Sequence, residues 1–150
     1  MTGAELIGYA KLLDQLGSYW SRLVGGRPQV QAVAEPFFGG RRYLFLSIRN
    51  PTKFTIRLTS ITVDPHRFQV MSGTDVNSAA SALVGEPASG YVEAEQEARF
   101  PIVLRSVSEE NRDLLCGVFI YWRSLRDPNI PQVRVVYRIT VSDLEALQEG

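Results

Sequence analysis

The side chains that most often carry out catalysis are scarce in this sequence. It contains one histidine, His66, and one cysteine, Cys116. A serine or cysteine nucleophile would need His66 as its base, but His66 follows Asp64-Pro65 in a segment typical of a turn. Cys116 begins an apolar stretch, where a thiol is usually buried and structural. We therefore predict no catalytic residue and no enzymatic activity.

Metal and cofactor sites find equally little support in the sequence. One histidine and one cysteine cannot form a zinc site without several carboxylates. Glu93, Glu95 and Glu97 alternate, so an extended chain would place them on one side, and clustered carboxylates suit calcium. The same alternation is typical of a solvated edge strand that discourages aggregation, which we favour. The sequence has no glycine-rich phosphate loop, so we expect neither metal nor cofactor.

Composition indicates one globular domain. The 150 residues are 45% apolar and 21% charged, which is ordinary for a folded protein. Sixteen basic and sixteen acidic side chains give zero formal charge, which argues against a dedicated nucleic-acid binder. A lone cysteine fits a reducing compartment. Because the sequence shows neither a secretory signal nor a membrane-spanning stretch, we expect a cytoplasmic protein, and we take its origin to be bacterial.

Residues 4–24 have the spacing of an amphipathic helix. Large apolar side chains recur there at steps of three and four, which places them on one helical face: Leu6, Tyr9, Leu13, Leu16, Trp20 and Leu23. Gly25, Gly26 and Pro28 then end the pattern, so we divide the chain into a helix over 1–26 and a second unit over 27–150. The apolar face needs a surface, and three remain open: the rest of the chain, a second copy in a homo-oligomer, or a membrane or another protein.

After Pro28 the pattern changes to a period of two, which is typical of β-strands. About seven such segments, separated by turn sequences, predict an all-β antiparallel sandwich. In the segment 54–63 the phase shifts by one residue near Thr59-Ser60, which predicts a β-bulge or a strand that crosses between the sheets. Residues 72–90 carry little pattern and are either a short helix or a long loop. The segment 123–132 is typical of a hairpin loop. The alternation on its two sides predicts two inward strand faces: Cys116, Val118, Ile120 and Trp122 before it, and Val133, Val135, Tyr137, Ile139 and Val141 after it.

Three segments resemble the immunoglobulin-like and fibronectin-III-like sandwiches of bacterial proteins. Residues 44–56 are similar to their strand–Asn–turn–strand unit, residues 91–104 to the acidic turn and strand before the last hairpin, and residues 118–141 to that hairpin. The resemblance covers roughly residues 29–142. It implies an immunoglobulin-like β-sandwich, and it implies no particular function.

Aromatic side chains on the less apolar strand faces are the strongest candidates for a binding surface. Tyr43 and Phe45 lie on one strand, and Phe119 and Tyr121 on another. If neighbouring strands bring them together, they form a patch that either the N-terminal helix covers or a partner binds. Although nearby arginines also suit single-stranded nucleic acid, the neutral chain favours protein.

Our leading hypothesis is a non-catalytic protein-interaction or scaffolding module that binds another protein or self-associates. The alternative is a peripheral membrane or envelope-associated protein that docks through residues 4–24. In both cases the candidate contacts are the apolar face of the helix and the four strand aromatics.

Overall fold

The structure, a computed structural model, describes residues 26–36, 40, 42–72 and 88–150. Within these residues, eight strands and two helices follow one another: β1 (Gln29–Pro36), β2 (Arg42–Arg49), β3 (Ile56–Asp64), β4 (Phe68–Val70), β5 (Ala88–Val92), β6 (Glu97–Leu104), α1 (Glu109–Arg112), β7 (Leu115–Ser124), β8 (Val133–Thr140) and α2 (Val141–Glu149). Apart from residue 26, the helix predicted over 1–26, with all six of its proposed contact residues, lies outside the described residues.

The strands form two antiparallel sheets of four strands each. Sheet 1 has the order β1-β2-β6-β4, and sheet 2 has the order β5-β3-β7-β8. Apolar side chains from both sheets belong to one buried cluster, which includes Leu46 and Ile48 from sheet 1 and Ile120 and Trp122 from sheet 2. The predicted all-β class is therefore confirmed, and the arrangement is compatible with a β-sandwich.

The period-two pattern places alternate side chains in the core, as expected for strands buried on one face. It is clearest in β7, where every second residue from Cys116 to Ser124 is buried. In β3 the pairing shifts between Leu58 and Ile61, which confirms the predicted bulge. The extra residue keeps Ile61 and Val63 in the core although they are out of phase with Leu58. The predicted hairpin is also present, since β7 pairs antiparallel with β8.

Two local expectations were wrong, and a third is tested only in part. The three alternating glutamates do not share an edge strand: Glu95 occupies a turn with φ of 59°, and Glu97 lies in β6, an inner strand. Phe54 is in phase with Ile56 and Leu58, which predicts an inward position, but it precedes β3 and is 39% exposed. Residues 88–90 of the stretch 72–90 belong to strand β5, which pairs with β3, whereas residues 73–87 lie outside the described part of the chain, so that a short helix or a loop there stays a prediction.

The C-terminal tail is a helix that closes one end of the two sheets. Its N-cap Thr140 accepts a hydrogen bond from the Asp143 backbone N–H (3.0 Å), and the Asp143 carboxylate accepts one from the Thr140 N–H (3.4 Å). This capping box satisfies two groups that would otherwise lack partners. Val141, expected at the end of a strand face, instead starts α2 and is fully buried with Leu144. Helix α2 packs against β1, β2 and β8, and therefore contacts both sheets.

At the other end, the buried side chain of Asn50 joins the sheets. Asn50 follows β2 of sheet 1, and its Nδ2 donates to the carbonyls of Phe54 (2.7 Å), Val92 (3.1 Å) and Glu93 (3.2 Å). Its Oδ1 accepts from the backbone N–H (3.0 Å) and the hydroxyl (2.7 Å) of Thr52. Every polar atom of this amide is thus used, as burial of a polar group demands.

The two sheets are also linked at the β1–β8 side. Among the described strands, β1 lies at the edge of sheet 1 and pairs only with β2. The Ala32 N–H donates instead to the hydroxyl of Tyr137 in β8 (3.2 Å). This bond satisfies a backbone donor that would otherwise face outward from the sheet edge.

The buried amide gives a prediction for stability. We expect Asn50→Asp to lower the free energy of unfolding by about 3 kcal/mol at neutral pH, because a carboxylate cannot donate to three carbonyls and is costly to bury. The loss should shrink in acid, where the protonated carboxyl donates one hydrogen bond. Urea unfolding across this pH range measures both effects.

Asn129→Asp, in the exposed loop after β7, is the control and should change stability by less than about 0.5 kcal/mol. Equal losses in the two variants, or no loss at position 50, would contradict the structural role assigned to Asn50.

Candidate binding surface

The structure separates the four predicted surface aromatics into two pairs. All four lie on outer faces, but Tyr43 and Phe45 are in β2 of sheet 1, whereas Phe119 and Tyr121 are in β7 of sheet 2. They therefore do not form one patch. The prediction assumed that their strands were neighbours, which the alternation of residues within each strand could not establish. Each face has to be considered separately.

The outer face of sheet 1 is covered by its own polar side chains. Phe45 points outward and is nevertheless only 7% exposed. An ion pair joins Arg99 of β6 to Glu35 of β1. Glu35 is opposite Tyr43 and Arg99 is opposite Ser47, so the ion pair spans β2 across the position of Phe45.

A second carboxylate completes this arrangement. Glu97 accepts hydrogen bonds from the Ser47 hydroxyl (2.6 Å) and from Arg99 Nε (2.8 Å). A shallow depression of about 410 Å³ remains beside the ion pair, lined by Phe45, Ala98 and the three charged residues. Because both carboxylates pair with Arg99 and the ring is shielded, this face offers a partner little unsatisfied surface, and the three charged groups together carry one net negative charge.

The outer face of sheet 2 is different, and we call it the basic–aromatic face. It consists of the outward side chains Arg57, Tyr91, Phe119, Tyr121, Arg123, Arg134, Val136 and Arg138. Their register places arginines next to aromatic rings in successive rows. Arg57 lies between Tyr91 and Arg123 in one row, and Tyr121 lies opposite Arg134 in the next. The strands of this face contribute one outward acidic residue, Asp64, at its end.

Two of these arginines stack on aromatic rings. The guanidinium carbon of Arg57 lies 5.9 Å from the ring centroid of Tyr91, and that of Arg134 lies 5.4 Å from the ring centroid of Phe119. Such cation–π contacts contribute about 0.5–1 kcal/mol when exposed. They hold the long arginine side chains against the sheet and reduce the conformational entropy that binding would otherwise cost.

A glycine allows the Phe119 ring to lie close to the sheet. A Cβ atom at Gly117 would be 2.9 Å from Cε2 of this ring, which is closer than atoms of the two side chains tolerate. Gly117 and Phe119 point to the same side of β7. The missing side chain therefore creates the space in which the ring rests beneath Arg134.

The face continues to the end of sheet 2 near the Asn50 network. Tyr91 is 61% exposed, and Leu125 and Phe54 beyond it are 47% and 39% exposed. Arg126 stacks on Phe54 at 5.3 Å from the ring centroid. The side chain of Arg123 is oriented by a hydrogen bond from its Nη2 to the carbonyl of Pro128 (2.5 Å). This end of the face therefore combines exposed apolar area with oriented arginines.

The residues considered for catalysis lie apart from this face. His66 is exposed in the turn between β3 and β4. Cys116 is buried in the core. Burial raises the pKa of its thiol above the usual value, although the neighbouring Arg67 partly opposes the shift. A raised pKa keeps the thiol protonated at neutral pH and therefore poorly nucleophilic.

An acidic depression of about 510 Å³ lies between α1 and α2. Its walls include Glu109, Asp113 and Glu149, while Glu145 accepts hydrogen bonds from Arg112 at 3.2 and 2.5 Å. This interaction raises the pKa of Arg112, chiefly through the hydrogen bond to Glu145. Among the described residues no group of three or more His, Cys, Asp or Glu side chains could hold a metal ion.

No protein-family model and no curated protein matches this chain. Within the described ranges, no helix has both the length and the apolar character needed to cross a bilayer.

Sequence analysis found two of the three aromatic residues of the basic–aromatic face and missed Tyr91 and the binding role of the arginines. The alternation in β8 places Arg134 and Arg138 outward, since both are out of phase with the apolar residues of that strand, but it does not indicate a binding surface. Arg57 likewise alternates with Ile56 and Leu58. Tyr91 could not be placed because β5 lacked a recognisable pattern, and no local signal indicates that β3 lies between β5 and β7.

Cys116 provides a test that depends on pH. In the unfolded chain the thiol loses its proton near its ordinary pKa of about 8.5, while the folded protein retains the proton to higher pH. The native state then binds more protons, so its stability should fall as pH rises through this window. We expect Cys116→Ala to cost about 1 kcal/mol at neutral pH and to reduce the alkaline loss of stability.

The measurement is urea unfolding of both proteins between about pH 7 and pH 10. Their curves of unfolding free energy against pH should converge in alkali. Parallel curves, or rapid reaction of the native thiol with a disulfide reagent, would contradict the assignment of Cys116 as a buried structural thiol.

Proposed function

We propose that this protein is a non-catalytic interaction module that binds another protein through the basic–aromatic face of sheet 2. The observation that carries the proposal is Tyr91, which is 61% exposed and is stacked by Arg57 within a row of outward arginines. Large aromatic side chains are seldom left so exposed together with ordered arginines unless the surface is used. The opposite face of the molecule, by contrast, shields its ring and pairs its charges.

The composition of the face supports a protein partner. Interfaces are enriched in tyrosine, phenylalanine and arginine and depleted in lysine, and the residues that contribute most to affinity are often tyrosine and arginine. The face contains four arginines and three aromatic residues and no lysine. The arginines on Tyr91 and Phe119 are already held near their rings, so binding would cost less entropy than on a surface of free side chains.

Self-association is a second form of the same proposal, and the charge of the face bears on its geometry. A two-fold dimer would place the same patch of each copy against the other. Four arginines would then meet four arginines, which is unfavourable. A homo-oligomer would therefore need a different surface on at least one copy. Residues 4–24 remain candidates for such a contact, as a prediction from sequence.

An immunoglobulin-like classification remains part of the proposal, and the strand order supports it. If β1, β2, β3, β6, β7 and β8 are taken as strands A, B, C, E, F and G, sheet 1 contains A-B-E and sheet 2 contains C-F-G, as in immunoglobulin domains. Strand β4 occupies the place of D beside E, and β5 lies beside C. This fold supports many unrelated functions, so the functional proposal depends on the face.

Docking to a membrane through residues 4–24 also remains a prediction, because those residues lie outside the described structure. The expectation of a cytoplasmic location depends on the lone cysteine and on the sequence patterns discussed above. Neither expectation is needed for the proposal about the basic–aromatic face.

Site-specific photo-crosslinking tests this proposal. A photoreactive phenylalanine analogue at Tyr91 should give discrete protein adducts when the full chain is irradiated in the cells that naturally express it. We expect Arg57→Gln in the same chain to reduce these adducts several-fold, because Arg57 contacts the Tyr91 ring.

The matched control carries the analogue at Val103, which is 45% exposed on the outer face of sheet 1. The same adducts from both positions would indicate nonspecific contact. An absence of adducts from position 91 would refute the proposal that this face binds a protein.

A further inference from the structure

We propose that the partner presents an extended acidic segment to the basic–aromatic face, in which carboxylates pair with the arginines. This inference rests on the function proposed above and specifies the chemistry of the partner. It begins with a local charge imbalance, because the chain as a whole has sixteen basic and sixteen acidic residues. The strands of this face display four outward arginines and one outward carboxylate, that of Asp64.

The arginines at both ends of the face form no ion pair with a residue that the structure describes. Arg57 contacts the Tyr91 ring, and Arg138 shares its row with Asp64, on the other side of Gly117. Arg123 donates one hydrogen bond to a neutral carbonyl, while its buried Nε has no hydrogen-bond partner among the described residues. An anionic partner would compensate these charges, whereas a neutral one would have to desolvate them at a cost.

The stacking arrangement favours carboxylates over nucleic acid. Single-stranded nucleic acids bind such faces mainly by stacking bases on open aromatic rings. Here Arg57 and Arg134 lie over the rings of Tyr91 and Phe119, so a base would have to displace a guanidinium from either ring. A carboxylate needs no such displacement, because it accepts two hydrogen bonds from the guanidinium edge while the guanidinium remains stacked.

The dimensions of the face suit an extended peptide. Arg123 and Gly117, which lies opposite Arg138, are six residues apart on β7, which corresponds to about 20 Å at 3.3 Å per residue. A peptide of about six to eight extended residues spans that distance. Its acidic side chains would meet arginines in three of the four rows of the face, since the row of Phe119 and Val136 has no arginine.

The test is fluorescence anisotropy of the full-length protein with a labelled peptide of about eight glutamates. We expect Arg57→Gln/Arg138→Gln to weaken binding at least tenfold. Arg27→Gln/Arg49→Gln removes the same charge from exposed positions elsewhere and should leave affinity within about twofold. Tyr91→Ala should also weaken binding, since Arg57 would lose its support. Circular dichroism checks that each variant folds.

Four results would overturn the inference. They are equal weakening by the two double variants, tighter binding of an oligothymidylate of the same charge, preferential binding to phosphatidylserine vesicles, and absence of binding to the acidic peptide. A fifth result would also overturn the inference: oligomers of the unmodified protein that the Arg57→Gln/Arg138→Gln substitutions dissociate. The occupant of the face would then be a second copy of the chain.

The crosslinking experiment separates failure of this inference from failure of the proposed function. Adducts at position 91 without binding to the acidic peptide would refute only the acidic partner. An absence of adducts would refute the protein-binding function itself.

Discussion

The buried amide of Asn50 is the interaction on which the relation between the two sheets most depends. Asn50 follows strand β2 of sheet 1. Its side-chain amide donates to the carbonyl of Phe54, which precedes β3, and to the carbonyls of Val92 and Glu93, at the end of β5. Hydrophobic packing is non-directional and tolerates sliding between layers, whereas three hydrogen bonds from one amide do not. The network thereby fixes the ends of β3 and β5, the two strands that carry Arg57 and Tyr91.

The aromatic side chains have different charged surroundings on the two outer faces of the molecule. On sheet 1, the ion pair between Glu35 and Arg99 spans the ring of Phe45, and charge is satisfied inside the molecule. On sheet 2, Arg57 and Arg134 stack on Tyr91 and Phe119, and the described strands of that face contribute one outward carboxylate, that of Asp64. Sheet 1 therefore has an outer surface whose charged groups pair with one another, whereas the outer surface of sheet 2 carries an excess of arginines.

Local pattern predicted much of the fold. The phase shift in β3, the β7–β8 hairpin and the inward residues of β7 follow from neighbouring side chains, and all were predicted. Strand β5 was missed because five residues rich in small and polar side chains carry no clear alternation. The pairing of the aromatic residues failed for a different reason: which strands become neighbours is decided by the whole chain, and residues 119 and 121 contain no information about residue 43. The candidate site depends on that pairing, so sequence analysis named only Phe119 and Tyr121 among the eight residues of the face.

The hydrogen bond between Tyr137 and Ala32 also lowers the tendency of this protein to aggregate through its edge strand. An eight-residue edge strand such as β1 is a template on which a foreign strand can assemble, and such growth begins fibrils. The hydroxyl of Tyr137 already accepts the hydrogen bond from the Ala32 N–H, which an incoming strand would need. Pro28 and Pro36, at the two ends of the strand, have no amide proton to donate. Tyr137, from the opposite sheet, thus hinders the addition of strands from other molecules, besides its contribution to packing within the molecule.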